Sequence, residues 1–238
     1  MLYWGPYGVE WGMFGRRYPG RFIAAHRTIF GLLTLGAVVW HLVRATGTDD
    51  AFNPVNYLSY FTIQSNIIGG AVLLWGAVRY WRGRAETAAF GSLRGAAALY
   101  LATTGVVYHV LLADVDAVNG STPGVLNLIW HTLLPLVIVL DWLVWPPKLP
   151  PAYRDIPVWL IYPLVYGVYT LVRGPVADWY PYPFIDPRPH GYGHVALMCT
   201  GVAVWFVAAA AALVWAARAI TASRARRSAR PASPGPGR

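Results

Sequence analysis

The chain has 238 residues, 56% hydrophobic and 12% charged, with a formal net charge of +9. Soluble domains carry roughly a quarter charged residues, so this composition excludes an ordinary soluble fold and places the chain in a lipid bilayer. The single cysteine, Cys199, lies inside an apolar run and excludes an intrachain disulfide or a thiolate metal site.

Six apolar runs follow one another, over 22–46, 54–80, 90–114, 123–145, 156–173 and 193–220. Each approaches or exceeds the roughly 20 residues needed to cross about 30 Å of hydrocarbon. The spacing predicts an all-α integral membrane protein of six transmembrane helices in one domain over 1–220. An interfacial segment at 1–21 precedes the first helix, and the basic tail 221–238, rich in Ser, Ala, Pro and Arg, reads as disordered beside anionic lipid. The first run follows Arg16, Arg17 and Arg21 and is too long for a signal-peptide core, so it reads as a retained anchor. Helices two and four open at Pro54 and Pro123, where a missing N–H is harmless, with Asn53 and Thr122 as expected caps. Between helices five and six, Tyr180-Pro181-Tyr182-Pro183-Phe184-Ile185-Asp186 reads as a stiff, ordered cap on the outer face. No internal repeat of the transporter type is visible.

Charge placement predicts orientation, because cytoplasmic loops carry the excess of lysine and arginine. Sixteen of the 19 basic residues fall on one side, among them Arg16, Arg17, Arg79, Arg82, Arg84, Lys148, Arg154, Arg218 and Arg224 to Arg227. Arg44, Arg173 and Arg188 fall on the other, together with Asp49, Asp50, Asp114, Asp116, Asp178 and Asp186. The reading is a multi-pass plasma-membrane protein with both termini in the cytoplasm, whose basic charge is a membrane-topology signal and not a nucleic-acid footprint.

Polar side chains inside spans are costly, and here they gather toward the outer ends of the helices. In helix two, Ser59, Thr62, Ser65 and Asn66 share one face. In helix four, Asn127 and His131 share another, with Pro135 one turn further in. Thr62 lies eight residues past Pro54 and His131 eight past Pro123, so both are roughly 12 Å below the outer end at 1.5 Å per residue. A hydroxyl level with an imidazole satisfies the minimal requirement of nucleophilic catalysis, since Thr or Ser is inert until a neighbouring base takes its proton. Thr62 is the expected nucleophile and His131 the base, with Ser65 the competing nucleophile one turn away. Gln64, Asn66 and Asn127 are candidate oxyanion donors, and no carboxylate adjoins His131 in sequence to orient it. His41, His109, Tyr166 and Tyr169 are expected to line the same cavity. Arg173 is placed to hold a free-acid headgroup or to snorkel to the interface. Asp141, near the cytoplasmic ends, is expected to pair with Lys148 or an arginine, and Gly91-x-x-x-Gly95 reads as a helix-packing signal.

Phe61-Thr62-Ile63-Gln64-Ser65-Asn66, His131 with Pro135, and Arg173-Gly174 followed by Tyr182-Pro183-Phe184-Ile185-Asp186 resemble the androgen-induced-protein family, which includes the androgen-dependent TFPI-regulating protein. The resemblance spans the six-helix layout from about residue 22 to 220. It implies a transmembrane threonine hydrolase that cleaves fatty acid esters of hydroxy fatty acids, with the Thr and His roles falling on Thr62 and His131. It implies a lipid substrate and no cofactor. Two other classes fit the same polar residues: a non-catalytic lipid-binding or transport protein, and a small membrane cytochrome binding haem through His41, His109 and His131.

Overall fold

The computed structural model describes residues 20–114 and 122–228 and, among them, contains helices and no strand. Arg16, Arg17, Asp116, Arg230 and Arg238 lie outside the described residues. Among the described residues six helices are long and apolar enough to cross a membrane: Gly20–Thr48, Phe61–Trp81, Ala88–Leu112, Gly124–Val144, Tyr153–Ala177 and Pro187–Arg227. The chain is a multi-pass membrane protein with six spans.

Within these spans, α1 is Gly20–Thr48, α2 the short Pro54–Leu58, α3 Phe61–Trp81 and α4 Ala88–Val107. The fourth span consists of α5 (Gly124–Leu128), a π turn over Ile129–Leu133 and α6 (Leu134–Val144); α7 is Ile156–Ala177 and α8 Pro187–Ser228. Helices α3 and α4 form the centre. A run of small residues, Ala96, Ala97 and Ala98, lets neighbours approach α4 closely, and Leu99, Tyr100 and Leu101 are buried beside them. The first, fifth and sixth spans bury much less of themselves and turn Leu32, Val43, Val158, Leu164, Val172 and Trp215 outward, as lipid-facing helices do.

Four boundaries differ from the sequence reading, each for a local reason. Helix two is not continuous: α2 ends at Leu58 with Ser59 as its C-cap, Tyr60 is extended (φ −71°, ψ 132°) and α3 begins at Phe61. The Ser59 hydroxyl donates to the Val55 carbonyl (2.6 Å), filling the end of the short helix. Asn53 caps α2 as expected, its Oδ1 accepting from the Val55 and Asn56 N–H groups. Thr122 does not cap helix four; the N-cap is Pro123, with no side-chain cap bond. The last helix starts earlier, at Pro187, with a kink at Gly191 (φ 75°), and runs on through 221–228, where the sequence reading placed the start of the disordered tail. Alanine and arginine are strong helix formers, which accounts for the extension.

Two prolines shape the site. Pro135 cannot donate to the His131 carbonyl one turn back, and the helix accommodates this with a π turn in which Leu134 N–H reaches Ile129 O. Pro163 likewise frees the Trp159 carbonyl, and the buried Tyr100 hydroxyl donates to it (2.8 Å).

The end of the bundle formed by the 82–87 and 145–155 connections is tied by ions. Asp141 accepts from Arg27 Nε (2.8 Å) and Arg94 Nη2 (2.7 Å), and Arg94 also donates to Glu86 (2.7 Å) and the Trp145 carbonyl (2.8 Å). Two cations and two carboxylates balance, so the first, third and fourth spans are joined with each charge paired. The arginine partner expected for Asp141 is thus supplied twice over, from α1 and α4. Gly91 and Gly95 serve packing: a Cβ at Gly95 would lie 2.4 Å from the Trp159 ring, and one at Gly91 2.9 Å from Pro147.

Candidate active site

Thr62 is the second residue of α3. The first N–H groups of a helix have no partner within it, and because the break at Tyr60 starts α3 inside the bundle, these donors must be satisfied by side chains. Phe61 N–H donates to the Tyr166 hydroxyl (3.0 Å) and Thr62 N–H to the Tyr182 hydroxyl (3.2 Å). Tyr166 in turn donates to the Ser59 carbonyl (3.0 Å). The start of α3, with its positive dipole end, is therefore held by two tyrosines from the fifth span and the following cap.

The π turn in the fourth span sets the direction of His131. Its Nε2 lies 3.3 Å from Thr62 Oγ1. On the other side of the ring, Nδ1 meets Asn127 Oδ1, one turn earlier on the same face. The Asn127 Nδ2 donates to the Tyr108 hydroxyl (2.5 Å), so its Oδ1 faces the imidazole. This fixes the tautomer: Nδ1 carries the proton, and the Nε2 lone pair faces the Thr62 hydroxyl. Tyr108 also stacks flat on His131, with centroids 3.9 Å apart and 15° between planes. The stacking requires the third and fourth spans to approach at Gly105, where a Cβ would lie 3.2 Å from the His131 carbonyl and 3.1 Å from Pro135.

Thr62 is 8% exposed, Ser65 and Asn66 are fully buried, and His131 is half-buried. Ser65 donates to the Thr62 carbonyl (3.0 Å) and pairs with Thr104 (2.8 Å). Asn66 Nδ2 donates to the carbonyls of Thr62 (2.8 Å) and Trp130 (3.4 Å), which binds α3 to the fourth span. Gln64 Nε2 donates to Leu58 O across the helix break (3.0 Å), and its Oε1 accepts from Tyr162 (2.9 Å). The amide groups read from sequence as oxyanion donors are thus engaged in holding backbone and neighbours. Asn127 is the orienting partner of the imidazole.

The other candidates lie around this centre. His109, exposed in a π turn over Tyr108–Leu112, faces the Gly105 carbonyl (2.8 Å) with Nδ1 and Thr132 (3.3 Å) with Nε2. His41 sits in an aromatic group, stacked on Tyr57 (5.1 Å) and edge-on to Trp130 (5.5 Å). Tyr169 pairs with Ser59 (2.8 Å). Arg173 donates to Asn56 Oδ1 (2.7 Å) and lies over the Trp179 ring, in a small cleft with Ser59 and Tyr169. Among the described residues no three histidine, cysteine or carboxylate side chains converge as a metal site would require.

The sequence reading had no role for Tyr108 or Tyr182, and it placed Tyr166 only among the residues approaching the polar cavity from helix five. Tyr182 lies between Pro181 and Pro183 in the cap, ahead of the 3-10 turn Pro183–Ile185 that returns the chain into the bundle, and it is 9% exposed. Its ring stacks on Phe184 (5.3 Å, 2°) and meets Tyr60 edge-on (5.7 Å). Burial pushes the Tyr182 phenol up from its ordinary value, outweighing the hydrogen bonds with Thr62 that pull it down. Its alternation with prolines is the one sequence signal for a fixed side chain here.

No family model, no curated protein and no solved structure matches this chain.

Proposed function

We propose that the chain is an intramembrane lipid-ester hydrolase with Thr62 as nucleophile, His131 as base and Asn127 as the residue that orients it. The observation that carries the reading is the line Thr62 Oγ1, His131 Nε2, His131 Nδ1, Asn127 Oδ1, with the Thr62 to His131 step at 3.3 Å. Free enzymes commonly hold this step slightly long and tighten it when substrate binds. A nucleophile, a base and a third group fixing the tautomer make up the logic of acyl transfer on unrelated folds, and an amide serves as the third member in cysteine proteases.

In this mechanism the Thr62 oxygen attacks the ester carbonyl carbon, its proton passes to His131 Nε2, and the carbonyl π pair moves onto the carbonyl oxygen. Collapse of the tetrahedral adduct expels the alcohol, which takes the proton from His131. A water then attacks the acyl-Thr62 ester with His131 again as base, and the acid leaves as Thr62 recovers its proton. No step calls for a metal or cofactor. The resemblance to the androgen-induced-protein family supports fatty acyl esters as substrates, among them fatty acid esters of hydroxy fatty acids. The lipid-exposed flanks of the fourth and fifth spans favour a substrate that arrives from the membrane. The distribution of basic residues supports a plasma-membrane topology with both termini cytoplasmic and the site opening toward the outer leaflet.

The test is labelling of purified protein with a fluorophosphonate probe, with the labelled residue identified by mass spectrometry, beside hydrolysis of fatty acyl esters. Wild type should label at Thr62, and Thr62→Ala and His131→Ala should neither label nor hydrolyse. Folded wild type that does neither would leave a lipid-binding or transport role for the same residues.

A further inference from the structure

An acyl-transfer site needs hydrogen-bond donors where the carbonyl oxygen becomes negative, and removing one such donor commonly slows the reaction about 10²- to 10³-fold. The amides around Thr62 are turned to other partners: Asn66 donates to the Trp130 and Thr62 carbonyls, Gln64 to Leu58 O and Asn127 to Tyr108. Two donors lie at the nucleophile itself. One is the Thr62 backbone N–H, which the start of α3 leaves without a helical partner. The other is the Tyr182 hydroxyl, 3.4 Å from Thr62 Oγ1 and 3.2 Å from Thr62 N.

We infer that the Tyr182 hydroxyl and the Thr62 backbone N–H form the oxyanion hole of this site. The inference rests on the hydrolase reading and deepens it. In the resting enzyme the phenol oxygen occupies the place in front of Thr62 N–H. As Thr62 Oγ1 bonds to the ester carbon, the carbonyl oxygen is carried toward its own N–H, as in serine hydrolases. The phenol O–H then turns from the Thr62 hydroxyl to that oxygen, and Thr62 N–H donates to the same atom. No proton leaves the phenol, which acts only as a donor. Prolines on both sides, the Phe184 stack and the Tyr60 edge contact keep the ring beside Thr62 as its hydroxyl yields the place in front of Thr62 N–H to the substrate oxygen. The same buried surroundings keep the phenol in its neutral, donating form.

Tyr182→Phe in the full-length protein removes the hydroxyl and keeps the ring. Phosphonylation of Thr62 by the fluorophosphonate probe should slow, and ester turnover should fall, about 10²- to 10³-fold, with KM changed little. Labelling and turnover at the wild-type rate would overturn the oxyanion assignment while leaving Thr62 and His131 in place, and so would a faster rate, which marks the phenol as an obstruction. Wild type that never labels at Thr62 overturns the hydrolase reading and this inference together. Fluorinated tyrosines at Tyr182 keep the shape and acidify the phenol, and so test the proposal even if the phenylalanine variant folds poorly. Activity should then be lost on the alkaline side at a pH that falls with each added fluorine; an alkaline limb that stays in place overturns the assignment.

Discussion

Asn127→Leu removes the amide that orients His131 while keeping a side chain of similar size. In the wild type, Asn127 Oδ1 holds the Nδ1 side of the imidazole and Nδ2 anchors on Tyr108; the leucine variant loses both and keeps the residue-127 backbone carbonyl, 3.2 Å from Nδ1. A hydrogen bond of this kind is worth about 1–3 kcal/mol. If that energy is expressed only in the reactive orientation, the second-order rate of fluorophosphonate labelling at Thr62 falls about 5- to 150-fold. The loss should stop short of that caused by His131→Ala, because the Tyr108 stack at 3.9 Å still limits rotation of the ring. Asn127→Asp provides the internal control: a carboxylate oxygen accepts from Nδ1 as the amide did, and the Tyr108 hydroxyl reverses to donate to it. That variant should label within about tenfold of wild type, the cost of one altered hydrogen bond. The assay is a time course of probe incorporation on detergent-purified protein, with a thermal melt confirming that each variant is folded. A folded Asn127→Leu that labels at the wild-type rate would refute the orienting role of the amide.

Ser65→Ala should leave labelling at Thr62 within a few-fold of wild type, because Ser65 is buried against Thr104 and the Thr62 carbonyl and does not face His131; transfer of the label from Thr62 to Ser65 in the wild type would reverse the assignment. Asp141→Leu leaves Arg27 and Arg94 buried without their shared carboxylate and should destabilise the protein by about 3–5 kcal/mol, read as a lowered melting temperature and loss of the monodisperse peak in detergent. Gly95→Ala places a methyl against the buried Trp159 and Trp142 rings and should cost about 1–3 kcal/mol by overpacking, measured in the same melt. The Asp186 carboxyl, hydrogen-bonded to Arg188 in the cap, lies below its ordinary range, so its contribution is present at neutral pH and lost as the pH falls through and below that range. Amide exchange in 180–190 should therefore quicken on acidification in wild type and be nearly pH-independent, once intrinsic exchange is corrected for, in Asp186→Asn.

Much of this molecule is determined by sequence alone. Long apolar runs in a chain with few charges have no stable state in water, and a lipid environment requires backbone groups to bond within their own segment, so six runs become six helices. Counting eight residues from each proline start puts Thr62 and His131 at one level, but the count from Pro54 takes helix two as continuous; with the break at Tyr60, their 3.3 Å approach belongs to the tertiary structure. Asn127 is legible as a neighbour of His131 on one helical face, although its use as orienting group depends on where its amide points. What counting cannot supply is the break at Ser59–Tyr60. The apolar pattern runs through it unchanged, and it exists because tyrosines distant in sequence satisfy the N–H groups it exposes. Tertiary packing likewise decided that Tyr182 reaches Thr62 across 120 residues, that Tyr108 covers His131, and that Asp141 joins two arginines from different spans. Such contacts depend on helix rotation, crossing and close approach at glycines. A periodic pattern fixes which face of a helix is buried but not which partner lies against it.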